Sequence, residues 1–158
     1  MNVEVINTGT ELLLGDIVNT SFQYLSRTLN DAGFNVLYQT TIGDNGDRLL
    51  EALSIALERA DIIITTGGLG PTRGDITKEM VARKLHLPLV PSAFWLDKLT
   101  RYFAARHVVM TENNKKQAMI PEGAVGFNNG VGMGPGAWVC TPVHKLIVML
   151  SGPPAGTT

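Results

Sequence analysis

The sequence predicts an α/β domain built on a mostly parallel sheet. Two observations carry this. Strand-like and helix-like segments alternate through the first half of the chain at the spacing of βαβ units. Within that alternation, residues 62–79 (IIITTGGLGPTRGDITKE) read as a buried strand, a turn with glycines at 67, 68 and 70, and a helix start. That succession builds an anion cradle. Glycine lets the backbone approach a phosphate closely, and free helix N–H groups point at it.

The elements follow in order. Residues 3–7 (VEVIN) alternate and are rich in Val and Ile, a first strand. Residues 9–15 (GTELLLG) form a glycine-bounded connection. Asn19 or Thr20 caps a helix to Ala32 that Gly33 ends, as Gly does just past a helix C-terminus. Residues 35–42 are a second strand, and 43–46 (GDNG) a turn and a cap. Leu49, Leu50, Leu53 and Leu57 mark an amphipathic helix to Ala60. A third strand, 62–66, leads into the glycine turn. Pro71 fixes that turn, and Asp75 opens a helix over 76–85, where its carboxylate can act as an N-cap. Residues 94–106 are helical, entered through Pro91 and Ser92, with Phe94 and Trp95 packing this helix or an interface. Residues 111–119 (TENNKKQAM) form a short polar helix capped by Thr111. Short strands at 125–127, 137–141 and 145–150 complete the sheet, with residues 130–136 turning between the first two. They include an antiparallel edge pair.

Bulk properties exclude several classes. The 158 residues suit one domain with a real core, 44% of them apolar and 17% charged. A net charge of −1 leaves no basic footprint for nucleic acid. No apolar run reaches the ~18 residues of a membrane helix. The first residues, MNVEVINTG, have no basic leader segment, and a cytoplasmic address is expected. The single cysteine, Cys140, sits in AWVCT and reads as a small buried residue. His86, His107 and His144 have no ligand spacing and read as structural or surface residues.

Ligands of such sheets bind at the carboxyl ends of the strands. Four polar or glycine-rich loops then share one rim: 9–11, 43–45, 66–75 and 151–154. The glycine turn is neither a P-loop nor a Rossmann fingerprint, since Lys78 comes too late and the first loop reads GTELLLG. The phosphate-binding candidates are Thr66, Gly67, Gly68, Gly70 and Thr77, with Gly152 and Pro153 from the last loop. Asp75, Asp44 and Glu11 are the acids of this rim. A carboxylate beside a phosphate is costly unless a cation lies between them, and Mg²⁺ commonly takes one or two carboxylates plus substrate phosphates. Asp75 and Asp44 are therefore metal candidates, and all three acids are catalytic candidates. Asn113 and Asn114 can read polar ligand edges, and Lys115 or Lys116 can neutralise phosphate.

GTELLLGDIVNT (9–20), TTGGLGPTRGDITKE (65–79), TENNKKQA (111–118) and GPP (152–154) together closely resemble the N-terminal domain of the CinA competence/damage-inducible proteins. The Gly-Gly-x-Gly and Asp-x-Thr pattern is similar, more distantly, to molybdopterin-binding domains of the MogA/MoaB type. The resemblance implies a three-layer α/β/α domain that binds a nucleotide or pterin phosphate. It implies hydrolysis of ADP-ribose to AMP and ribose 5-phosphate, helped by a divalent cation (Mg²⁺ or Co²⁺) and by K⁺. A molybdopterin- or nucleotide-binding module without turnover is the alternative. The partner is a phosphate-bearing small molecule, ADP-ribose or molybdopterin-like, and a homo-oligomer, dimer or trimer, is expected. Residues 1–158 are expected to be a single domain without the family's C-terminal deamidase domain. The chain departs from the family pattern at Gly74, where relatives carry a second acid before Asp75. It also departs at residues 129–132 (NGVG) and at Ser151.

Overall fold

The computed structural model describes residues 1–128 and 136–152. A six-stranded sheet runs in the order β2-β1-β3-β8-β7-β6. Its strands are β1 (Asn2–Thr8), β2 (Asn35–Ile42), β3 (Ile62–Thr66), β6 (Val125–Phe127), β7 (Gly136–Cys140) and β8 (Leu146–Leu150). The first four in spatial order are parallel, whereas β7 is antiparallel to β8 and β6 to β7. The expected parallel sheet with an antiparallel edge is thus present. The turn expected at 130–136 lies, except for Gly136, outside the described residues.

Alternation along the central strands builds two cores. Val3, Val5, Ile62 and Ile64 face one side, where Leu25 of α2 (Thr20–Asp31) covers them. Ile6, Ile63, Ile147 and Met149 face the other, against Leu49, Leu53 and Ala56 of α3 (Gly46–Arg59) and Val81 of α4 (Thr77–Lys84). Helices on both faces of one sheet make three layers. Burying such aliphatic side chains stabilises by about 1.5–3 kcal/mol each. Glu4 lies among them, 1% exposed, and Arg59 donates to both its oxygens, at 2.8 and 2.9 Å. Thr40 adds a third at 2.8 Å.

Several local expectations need correction. Residues 9–15 contain a short helix, α1 (Thr10–Leu14), because Gly9 and Gly15 bound a helix-forming TELLL run. A separate antiparallel pair, β4 (Leu89–Pro91) with β5 (Met119–Pro121), was not expected from the sequence. Three-residue strands ending in proline carry almost no periodic signal. Cys140 is exposed, since β7 alternates and buries Ala137 and Val139 instead. Under α5 (Ala93–Ala105), Trp95 is fully buried with Leu99, but Phe94 is 61% exposed.

All three histidines adopt left-handed backbone, at φ 55°, 53° and 61°. His86 and His107 end α4 and α5 in Schellman turns: Leu87 N–H donates to Ala82 O, and Val108 N–H to Phe103 O. Gly33 closes α2 the same way. A left-handed side chain is strained where glycine is not, so His86→Gly and His107→Gly should each stabilise by about 0.5–1 kcal/mol. Urea denaturation reads this directly, and a loss of stability would contradict it.

Candidate functional site

The carboxyl ends of β1, β2, β3 and β8 open on one cleft of about 370 Å³. Each bordering loop supplies part of its wall. Thr8, Gly9 and Glu11 follow β1, Asp44 follows β2, residues 67–75 follow β3, and Ser151 and Gly152 follow β8.

The glycine turn is built on two consecutive left-handed residues, Gly67 (φ 94°) and Gly68 (φ 72°). Neither tolerates a side chain. A Cβ at Gly67 would lie 2.6 Å from the Thr8 carbonyl oxygen, and one at Gly68 would lie 2.1 Å from Thr77 Oγ1. Gly67 N–H donates to Leu150 O at 3.0 Å, which ties the turn to β8. The N–H groups of Gly68, Leu69 and Gly70 have no hydrogen-bond partner among the described residues. All three residues line the cleft. Successive unpaired N–H groups around left-handed backbone form an anion-binding concavity.

Asp75 is not the N-cap of α4. Ile76 occupies that position, without a side-chain cap. Asp75 Oδ2 instead accepts from Thr72 N at 2.9 Å and Thr72 Oγ1 at 2.6 Å, which closes the loop between the glycines and the helix. One carboxylate oxygen remains for other partners. Asp44 is placed by Thr10, whose Oγ1 accepts from Asp44 N–H at 3.2 Å. Glu11 folds back over Gly9, where a Cβ would stand 2.6 Å from Oε1. The three acids line one cleft, yet no group of three metal-capable side chains comes together among the described residues. Two carboxylates with free oxygens suit a cation that also takes ligand phosphates, as Mg²⁺ usually does, rather than a cage made by protein alone.

Other candidates have different employment. Thr77 is fully buried; its hydroxyl donates to Gly67 O at 2.9 Å and its N–H to Gly68 O at 3.1 Å. Thr66 Oγ1 donates to Asn7 Oδ1 at 3.0 Å. Thr77 braces the turn, whereas Thr66 ties the end of β3 to β1. In α6 (Glu112–Lys116), Asn114 spends its side-chain oxygen on Thr111 in a capping box, and Asn113 is exposed. Lys116 Nζ donates to Asp75 O at 2.6 Å and Thr72 O at 3.2 Å, and pairs with Glu79 at 3.1 Å. It straps the glycine loop to α6, and none of these three α6 residues lines the cleft. Pro153 lies outside the described residues. Thr8, Thr72 and Gln117 line the cleft and were not singled out from the sequence. Gln117 closes the polar TENNKKQ run, which was its only signal.

Beneath the loop lies Lys78, 3% exposed. Its ammonium donates to Gln117 O at 2.8 Å and Lys116 O at 3.2 Å. Burial is the main cause that lowers its pKa to about 8, partly opposed by Glu79.

A sheet with this order, and a glycine turn lining a cleft at the carboxyl ends of its strands, mark the class that comparison with known proteins returns. Residues 4–158 match the family model described as "Probable molybdopterin binding domain". The chain is 47% identical to a competence-damage inducible protein of Acetivibrio thermocellus, over 98% of this chain and 37% of that protein. A CinA protein of unknown function from Thermoplasma acidophilum superposes with a TM-score of 0.90 at 30% identity, covering 99% of this chain and 90% of that one. The molybdopterin biosynthesis enzyme MoaB of Thermus thermophilus shares the fold, with a TM-score of 0.62 at 20% identity and coverage of 99% and 84%. The chain belongs to the molybdopterin-binding-domain family and, within it, to the CinA proteins. It spans little more than a third of the length of the curated relatives it matches. No helix among the described residues is long and apolar enough to cross a membrane.

Proposed function

We propose that this domain is a metal-assisted nucleotide pyrophosphate hydrolase that converts ADP-ribose to AMP and ribose 5-phosphate. The observation that supports it most is the row of N–H groups at Gly68, Leu69 and Gly70, unpaired among the described residues, in a cleft that Glu11, Asp44 and Asp75 also line. The N–H groups bind one phosphate and favour the charge that grows on its oxygens. Asp75 and Asp44 would hold a divalent cation, Mg²⁺ or Co²⁺, which would supply charge to offset that of the phosphates. Glu11 takes a proton from the attacking water. Water oxygen bonds to one phosphorus, the bridging P–O bond breaks, and the bridging oxygen leaves on the other phosphate. The test is to incubate the chain with ADP-ribose and Mg²⁺ or Co²⁺, with and without K⁺, and quantify AMP. Asp75→Asn should cut AMP release at least tenfold. Equal rates in wild type and variant would refute this reading.

A second reading, a nucleotide- or molybdopterin-binding module without turnover, is favoured by one position. Gly74 stands against Asp44, where a Cβ would sit 3.6 Å from its carboxyl carbon, an ordinary contact. A carboxylate there would complete a cation site that this chain leaves short. Gly74→Asp is expected to tighten Mg²⁺ or Co²⁺ binding about tenfold, since a third nearby carboxylate is worth on the order of 1–2 kcal/mol after solvent screening. If wild type binds ADP-ribose without releasing AMP and Gly74→Asp gains turnover, the module reading stands. Calorimetry showing no change in cation affinity would remove the argument from Gly74.

A further inference from the structure

Gln117 borders the glycine cleft, yet its side chain has no task in the fold. It stands at the end of α6, 9% exposed. Its side-chain amide has no hydrogen-bond partner among the described residues, and neither amide atom is shut off from open space. Buried polar groups are nearly always bonded, and one left unbonded is a cost that the fold carries. Proteins carry such costs where a ligand later meets the group. The other side-chain donors of the cleft are already spent or closed off. Thr8 Oγ1 donates to Thr66 O at 3.2 Å, and Thr72 Oγ1 to Asp75 Oδ2 at 2.6 Å. The Ser151 hydroxyl is shut off from solvent. Among the described lining residues, none is Lys, Arg or His. The Gln117 amide is therefore the side-chain donor that these residues leave free for a ligand.

The backbone around it is fastened. Lys78 Nζ holds Gln117 O at 2.8 Å and Lys116 O at 3.2 Å, and the Lys116 ammonium in turn donates to Thr72 O and Asp75 O. Gln117 thus enters the cleft from the Thr72–Asp75 side of the loop. We propose that Gln117 is the residue that distinguishes a diphosphate from a single phosphate, its Nε2 donating to the phosphate that the glycine turn does not hold. The proposal rests on the phosphate reading above. The three N–H groups of the glycine turn are occupied by one phosphate, so a second phosphate needs a donor from another wall. A neutral amide suits that wall. A cationic side chain there would pair with the acids of the cleft, whereas an amide binds an anion and leaves them free for a cation.

Gln117→Met keeps the length of the side chain and removes both polar atoms. No protein group depends on those atoms, so the variant should unfold at the wild-type temperature or above it. Inorganic pyrophosphate and orthophosphate, each with Mg²⁺ present, are titrated against the isotope-labelled chain and by calorimetry. Pyrophosphate should shift the side-chain amide resonances of Gln117, assigned by their loss in Gln117→Met, together with the backbone amides of Gly68 and Gly70. Gln117→Met should weaken pyrophosphate about tenfold, as loss of a hydrogen bond to a charged group does, and orthophosphate by less than about twofold. A Gln117 side-chain amide that stays still while Gly68 and Gly70 shift would overturn the proposal. So would unchanged pyrophosphate affinity in Gln117→Met, or equal weakening of the two anions. A Tm lowered by more than about 5 °C would make the side chain structural and overturn it as well. Pyrophosphate that moves neither Gln117 nor the glycine turn would fail the phosphate reading itself, and this inference with it.

Discussion

Gly68→Val should lose pyrophosphate and ADP-ribose binding altogether and unfold at a markedly lower temperature. Two costs act together. The residue sits at φ 72°, and a side chain in left-handed backbone costs roughly 1–2 kcal/mol, more for a β-branched one. Its Cβ would also stand 2.1 Å from Thr77 Oγ1, far inside contact distance. Thr77 cannot give way cheaply, because it is fully buried and its hydroxyl holds Gly67 O. Forcing extra volume into such packing costs about 1–3 kcal/mol more. The sum, roughly 2–5 kcal/mol, corresponds to a Tm lowered by about 5–15 °C for a domain of this size. Relief requires moving the turn off α4, which disperses the three N–H groups that would meet the phosphate. Gly33→Ala is the control. Gly33 has φ 87° with nothing within 4 Å of a Cβ, so it carries the backbone cost without the clash. It should lose about 1–2 kcal/mol and bind both ligands as wild type does. Calorimetry that found Gly68→Val binding normally would remove the glycine turn from the site.

The same residues explain what was legible in the sequence. Strong signals transferred well: VEVIN by its alternation, IIITT as an unbroken run of β-branched residues that is buried throughout, and the leucine stripe of α3 by its 3.6-residue spacing. The glycine turn was legible because two successive left-handed residues next to packed backbone admit only glycine. The assignment of side chains within the site was not. Lys116 looks like a phosphate ligand in a linear sequence, because nothing there shows that the carbonyls of Thr72 and Asp75 end up beside its ammonium. Asp75 precedes a helix, which suggests a cap, but Thr72 captures its carboxylate first. Thr77 and Thr66 flank the glycine loop in sequence, but the Thr77 hydroxyl is spent on Gly67 O and the Thr66 hydroxyl on Asn7. Local chemistry names the residue types a site needs, whereas long-range hydrogen bonds decide which of them remain free to meet a ligand. The β4–β5 pair fails for the opposite reason, since its six residues carry too little periodicity to be read at all.

Lys78 makes the second large effect visible as a pH dependence of stability. Its ammonium is held by two carbonyls in a nearly closed site, and burial lowers its pKa from 10.5 to about 8. The unfolded chain keeps the ordinary value. Between pH 8 and 10.5 the unfolded state therefore binds a proton that the folded state has released. Stability must rise with pH across that window, because it rises wherever the unfolded state holds more protons. Below pH 8 both states are protonated, and the burial cost is carried in full. The shift corresponds to a change of about 3 kcal/mol. Urea denaturation of wild type and Lys78→Met at pH 7 and pH 10.5 isolates it, since all other titrating groups are common to both. Wild type should gain about 2–3 kcal/mol relative to Lys78→Met over that interval. Parallel pH profiles would mean that the ammonium is not desolvated where it lies. The reach of this lysine extends to the cleft, because one carbonyl it holds belongs to Gln117, a wall residue, and the other to Lys116, the strap on the glycine loop. Deprotonation leaves two N–H donors for these two carbonyls but removes the charge that strengthens both bonds, so the fold becomes more stable in the same pH range in which the hold on the α6 wall weakens.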